Sequence, residues 1–261
     1  MECIIQPSFI HHRSKARIKD LGEVFTPDDN VNAMLKLLEQ DNNFSWSDED
    51  IAFFEPCCGH GNIVVAIFFK RLEAFFCRAV TYQSPEYAAY YAIANAINTL
   101  WAIDIDRDNI ADCRTRLLKT SLQFLVEKLN IKDYAPLINK DREYIAHLLC
   151  TIKWQIHENE MLSAMINNKK SSRVNAQKTK ISNQWIVENG HNPINFKRTW
   201  AEYFRKYQYK NSTPILFKQA LNFINAEYSS KNDIFDFARN ELIIKINQGK
   251  EINSGELWSR I

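Results

Sequence analysis

Residues 51–62 decide the fold, and they read IAFFEPCCGHGN. The first four form a short unbroken apolar run, which is typical of a strand buried on both faces of a parallel sheet. The turn that follows contains Gly59 and Gly61, two of only six glycines in the chain. Residues 63–76 are mostly apolar and predict a buried helix. The stretch therefore predicts a strand, a glycine-bearing turn and a helix in direct succession.

Two later segments are candidates for the other strands of the sheet. Residues 100–103 read LWAI and lead into Asp104, and residues 151–156 read TIKWQI. Strands that alternate with helical segments are typical of an α/β fold whose crossovers are right-handed. The sequence therefore predicts an α/β protein with a parallel sheet.

Helical spacing of apolar residues fills the intervals between these runs. Thr26 or Asp28 suits the cap of a first helix. Ser84, which is followed by a proline, begins another. Asp108 suits the cap of a long helix that ends near residue 129, and residues 141–149 predict one more.

Composition restricts the classes of protein that remain. The 261 residues include 33 Lys and Arg against 31 Asp and Glu, so the net charge of +2 excludes a polybasic nucleic-acid coat. Hydrophobic content of 46% and charged content of 25% fit a globular protein. No apolar stretch approaches the roughly 20 residues that span a bilayer, and no signal layout opens the chain, so we expect a cytoplasmic protein without a membrane partner. Six scattered cysteines without a Cys-x-x-Cys pair predict reduced thiols and no metal site.

The turn after the first strand is a candidate ligand site for physical reasons. Glycine permits close approach of the backbone, a helix N-terminus offers amide donors, and ligands gather at the carboxyl ends of parallel strands. A nicotinamide site fits poorly, because Val64 replaces the third glycine and Asp104 follows Gly61 by 43 residues, instead of about 20. Asp104 could instead accept hydrogen bonds from both hydroxyls of a ribose. The alternatives are a tight turn without a ligand, and an ordinary capping or surface acid.

Three segments together resemble a known family. Residues 22–27 read GEVFTP, residues 54–62 read FEPCCGHGN, and residues 102–106 read AIDID. These segments are similar to the opening segment, the S-adenosylmethionine loop and the second-strand motif of adenine-specific (N6) DNA methyltransferases of restriction–modification systems. The resemblance covers roughly residues 20–165 and implies a Rossmann-like methyltransferase sheet.

The resemblance also implies roles for individual residues. Thr26 and its neighbours would line the methionine end of the cofactor, Glu55 would accept a hydrogen bond from its ammonium group, and Asp104 would hold the ribose. The glycine backbone would pack against the cofactor, Ile105 would contact the adenine face, and Glu160 would lie near the adenine amine. The implied cofactor set is Phe25, Thr26, Pro27, Glu55, Pro56, Gly59, Gly61, Asp104, Ile105 and Glu160.

The catalytic motif of that family, Asn-Pro-Pro-Tyr, has no full counterpart here, since the chain contains no Pro-Pro dipeptide. In the family this motif binds the target amine and stacks on a flipped-out base. One partial match consists of Asn192, Pro193 and Phe196, with the aromatic residue one place late. A second, residues 84–87, falls between the cofactor motifs and opens a helix.

We therefore predict an N-terminal arm over residues 1–21, a cofactor-binding domain over 22–165, and a basic loop with a mostly helical region over 166–261. The sheet would be incomplete. The predicted function is S-adenosylmethionine-dependent methylation of DNA adenine, in a truncated or split form that needs a partner chain. DNA and a second methyltransferase or restriction subunit are the expected partners. The alternatives are an inactive methyltransferase-like protein that binds cofactor or DNA as a regulator or subunit, and an interaction domain that keeps the fold only.

Overall fold

The structure is a computed structural model, and it describes residues 26–132, 142–159 and 161. These residues belong to two compact units that divide between Phe44 and Ser45, and each unit is described by itself. The predicted domain limits at residues 21 and 165, and the region 166–261, lie outside the described residues.

The first unit contains helix α1 (Asp28–Leu38). Pro27 occupies the N-cap position, and its carbonyl accepts the Val31 N–H at 3.1 Å. No side chain caps the helix, so the prediction of a cap from Thr26 or Asp28 is wrong. Acidic residues in the first turn nevertheless complement the positive end of the helix dipole.

The second unit is built on a parallel three-stranded sheet, which confirms the α/β prediction. Its strands are β1 (Phe53–Glu55), β2 (Leu100–Asp104) and β3 (Ile156–Glu158), with β2 in the centre. In register, residue 55 lies opposite residue 102, and residue 104 lies opposite residue 158. The four apolar residues of β2 are fully buried, as expected for a central parallel strand.

In the described part of the second unit, four helices accompany the sheet. α2 (Asn62–Ala79) and α3 (Pro85–Asn98) lie between β1 and β2 in the chain, and α4 (Arg107–Leu129) and α5 (Arg142–Gln155) lie between β2 and β3. Ser84 caps α3 by accepting the N–H of the third helical residue, which confirms the predicted start of that helix. Of the helices in the part of the chain that the structure describes, none combines the length and apolar character that crossing a membrane requires.

Two sequence predictions are wrong at the ends of these helices. Asp106, and not Asp108, caps α4, because its carboxylate accepts the N–H groups of residues 108 and 109. Residues 151–155 belong to α5, so β3 begins only at Ile156. Periodicity cannot separate a short buried helical run from a buried strand, and this segment is buried along its whole length.

Buried arginines connect the helices to the rest of the unit. Arg71 on α2 lies between the rings of Phe53 and Phe75, 5.2 and 4.7 Å from their centroids, and donates to the Asp48 carbonyl. Burial lowers the pKa of Arg71 to about 10, so it stays charged at neutral pH. Arg114 on α4 donates from Nε to the Ile156 carbonyl at 2.7 Å, which attaches α4 to β3.

His157 in β3 makes folding stability depend on pH. Burial, together with the nearby Arg114 cation, lowers the pKa of this imidazole to about 3. An unfolded histidine takes up a proton near pH 6.5, whereas the folded one stays neutral. The contribution of the neutral imidazole to the free energy of unfolding is therefore fully present above pH 6.5. It is lost progressively as the pH falls toward 3. Between pH 7.5 and pH 5 the expected loss from this group is about 2 kcal/mol.

The variant His157→Gln removes the titrating group. Urea denaturation at several pH values between 7.5 and 5 would compare the free energy of unfolding of the variant with that of the unmodified chain. Carboxylates titrate in both proteins and cancel in the difference. We expect the difference in stability between the two proteins to shrink by about 2 kcal/mol over this interval. A constant difference would contradict the assignment of a neutral buried imidazole.

Candidate functional site

Each of the three strands ends in an acid. Glu55 is the last residue of β1, Asp104 of β2 and Glu158 of β3. Because the strands are parallel, these carboxyl ends lie along one edge of the sheet, where ligands of such sheets bind. The first two acids were predicted from their motifs, whereas Glu158 was not, because the predicted third strand ended two residues too early.

Burial makes this edge unfavourable for unpaired negative charge. It raises the pKa of Glu55; the Cys57 N–H acts against the rise, and the charge of Asp104 adds to it. Burial likewise raises the pKa of Glu158, although the Arg107 and Arg114 cations lower it. A group with positive charge or several hydrogen-bond donors would relieve both effects. Ionisation of Glu55 and of Glu158 is therefore less favourable here than in water.

Asp104 holds the turn after β1 in place. Its Oδ2 accepts the Gly59 N–H at 2.8 Å, and its Oδ1 accepts the Asp106 N–H at 2.8 Å. The Asn109 side-chain amide donates to Oδ1 at 3.4 Å. A carboxylate offers about four acceptor positions, so Asp104 has capacity left for a ligand hydroxyl. The interpretation of Asp104 as a helix cap is wrong, since Asp106 fills that role.

The turn has the backbone that its glycines predict. Gly59 and Gly61 both have positive φ, +52° and +93°. The Gly61 N–H donates to the Cys58 carbonyl at 2.9 Å, and the Cys58 N–H donates to the Ile103 carbonyl at 3.0 Å. The turn is thus attached to β2 through both a strand carbonyl and the carboxylate of Asp104. α2 begins directly behind it without a side-chain cap or an acid in its first turn.

The two glycines have different physical roles. A Cβ added to Gly61 would lie 2.6 Å from Cys113 Sγ, so this glycine is required by contact between the turn and α4. A Cβ added to Gly59 would meet nothing within 4 Å. Gly61 therefore serves packing, and Gly59 borders the open space in which a ligand could approach the backbone.

The Cys58 thiol in the turn is buried. A hydrogen bond with Cys113 raises the pKa of the Cys58 thiol well above its ordinary value, and burial raises it further. Thiols attack as thiolates, so Cys58 is a poor nucleophile at neutral pH. Among the described residues no cluster of three or more His, Cys, Asp or Glu could hold a metal ion.

The remaining predicted site residues fall in three places. Pro56 lies in the turn behind β1, and Ile105 follows Asp104 as an exposed apolar side chain. Thr26 and Pro27 belong to the first unit, ahead of α1. The partial catalytic match at residues 84–87 forms the capped start of α3. Outside the described residues lie Phe25, Glu160, Asn192, Pro193 and Phe196.

Comparison of the chain with protein-family models, with curated proteins and with solved structures gives no match. The evidence that bears on function is therefore the geometry of the sheet edge and the sequence motifs that lie on it.

Alanine at each glycine tests the distinction between them. Gly61→Ala combines a strained backbone with the clash against Cys113, and we expect it to lower the free energy of unfolding by about 2–4 kcal/mol. Gly59→Ala meets only backbone strain, and we expect a loss of about 1 kcal/mol. Urea denaturation measures both.

The double variant Gly61→Ala with Cys113→Ala removes the sulfur that the new methyl group would meet. It should show favourable coupling relative to the sum of the single variants. Equal losses at the two glycines, or no coupling with Cys113, would contradict the packing role of Gly61.

Proposed function

We propose that this chain is the S-adenosylmethionine-binding part of a DNA adenine-N6 methyltransferase, with its nucleoside pocket at the edge formed by Glu55, Gly59 and Asp104. One observation carries the proposal. The Gly59 N–H donates to the Asp104 carboxylate, so two motifs 45 residues apart in the chain meet at the same strand edge. This juxtaposition is what the resemblance requires of a cofactor site.

The chemistry of the edge fits the cofactor. Asp104 would hold the ribose by accepting a hydroxyl at its remaining acceptor position, and the exposed side chain of Ile105 would cover one face of the adenine. Glu55, half-buried and partly destabilised as an anion, would accept the ammonium group of the methionine moiety. For Phe25, Thr26 and Pro27 the proposal rests on the resemblance alone.

Glu158 is a better candidate for the adenine amine than Glu160. It is the residue opposite Asp104 in the register of β2 and β3, and its pKa is raised by burial. A carboxylate in this position could accept a hydrogen bond from an exocyclic amine of the base next to the ribose that Asp104 holds. The proposal therefore gives Glu158 the role that the sequence analysis gave to Glu160.

The parallel order β1-β2-β3 supports a Rossmann-like sheet as the fold of this domain. Such sheets are built from halves of three parallel strands with helical crossovers, and ligands bind outside their carboxyl ends. The proposed methyltransferase sheet would include this half.

The bound cofactor supplies a methyl group already activated on a sulfonium. The protein then needs little acid–base chemistry, and its residues act by binding and orientation. In this proposal Asp104 and the turn fix the nucleoside, and the acids at the three strand ends favour a ligand with positive charge.

The catalytic step separates two versions of the proposal. The chain contains no Pro-Pro dipeptide, and Asn192, Pro193 and Phe196 match the family motif only in part. In the first version a partner chain brings the catalytic motif. In the second version the chain binds cofactor or DNA as an inactive regulator or subunit.

Calorimetry with S-adenosylmethionine tests the pocket. We expect the unmodified chain to bind, and Asp104→Ala to weaken binding by about 1–3 kcal/mol through loss of hydrogen bonds to a charged group. Asp108→Ala is the matched control, because it removes an exposed acid from the first turn of α4. Its affinity should equal that of the unmodified chain. Absence of binding by the folded, unmodified chain would contradict the proposal.

Transfer of a labelled methyl group to DNA separates the two versions. The assay uses the chain alone and the chain mixed with a candidate partner that carries an Asn-Pro-Pro-Tyr motif. We expect incorporation only in the mixture, because the catalytic motif of this chain is incomplete. Incorporation by the chain alone would eliminate both the inactive version and the need for a partner.

A further inference from the structure

Arg116 on α4 contacts the turn at residues other than the one that Asp104 binds. Its Nη1 donates to the His60 carbonyl at 3.0 Å and to the Asn62 side-chain oxygen at 2.7 Å. His60 stands between the two glycines, and Asn62 is the first residue of α2. A single nitrogen thus bridges the two residues that flank Gly61.

The turn needs such an attachment because of its composition. Gly59 and Gly61 give this backbone more conformational freedom than any other residue type would. Three side chains restrict it: Asp104 binds Gly59, Cys113 packs on Gly61, and Arg116 binds His60 and Asn62. Cys113 and Arg116 are three residues apart on α4 and so lie on one face of that helix.

We propose that Arg116 is a positioning residue for the cofactor turn, one that holds its backbone in the ligand-binding conformation before the ligand arrives. The inference rests on the proposed function for the identity of the ligand. Ordering a free residue costs about 1–2 kcal/mol, and a turn that is ordered in advance spares the ligand this cost. A guanidinium suits the task, since its rigid plane fixes the directions of the two N–H groups on Nη1.

A purely structural role predicts a different outcome, and Lys128 supplies the matched control. It lies on the same helix, and its Nζ forms an ion pair with Glu73 of α2 at 2.7 Å. Lys128→Met and Arg116→Met each remove one cation that links α4 to α2 or its preceding turn. The pair at Lys128 is 12 residues further along α4, roughly 18 Å at the helical rise.

The experiment compares Arg116→Met, Arg116→Lys and Lys128→Met in the full chain. Calorimetry gives the dissociation constant for S-adenosylmethionine, thermal denaturation gives Tm, and amide hydrogen exchange gives the protection of residues 59–62. We expect Arg116→Met to raise the dissociation constant by about tenfold and to speed exchange at the turn. Arg116→Lys should recover part of both effects, because an ammonium group still donates. Lys128→Met should lower Tm with unchanged affinity and unchanged exchange at the turn.

Two results would overturn the inference. One is unchanged affinity and protection in Arg116→Met, and the other is an equal loss of affinity in Lys128→Met at the same change in Tm. If the unmodified chain binds no S-adenosylmethionine, the proposed function fails, and exchange at residues 59–62 still decides whether Arg116 orders the turn. If Arg116→Met does not fold, the same comparison is made with Arg116→Lys, for which unchanged affinity and protection would overturn the inference.

Discussion

The hydrogen bond between the Gly59 N–H and the Asp104 carboxylate is the interaction on which the rest of the site depends. It connects the turn after β1 to the end of β2, and the acceptor is charged, which makes such bonds about twice as strong as neutral ones. The second oxygen of Asp104 accepts the Asp106 N–H, so the same carboxylate also fixes the approach to α4. Strand ends, turn and helix start are therefore set by one side chain, and any ligand at this edge would meet a preorganised acceptor.

α4 forms the wall against which this arrangement rests. Arg114 and Arg116 leave it in two directions, the first toward the carbonyl of β3 and the second toward the turn. Cys113 lies beside them in sequence, and its side chain packs directly against Gly61. Burial and a hydrogen bond with Cys113 raise the pKa of the Cys58 thiol, so this side of the turn offers no reactive thiolate at neutral pH. Binding and orientation, not covalent chemistry, are the functions that this geometry supports.

The parts of the fold that follow from local sequence were predictable. The run before the glycine turn, the turn itself and the apolar strand that ends at Asp104 each carry a local physical signal, and the structure has all three. The third strand was predicted too early, because residues 151–155 alternate polar and apolar side chains as a strand does, although they form the buried end of α5. Glu158 was missed for that reason alone. The packing role of Gly61 could not be predicted, since it depends on Cys113, which lies 52 residues further along the chain.

The most direct test of the account is an amide NMR titration of the full chain with S-adenosylmethionine. The account predicts that the largest saturable shifts fall at the strand edge, on the amide signals of Cys57, Gly59 and Ile105, with small changes in the distant half of α4. S-adenosylmethionine that leaves these signals unmoved at millimolar concentration, or that moves only signals remote from the edge, would contradict it.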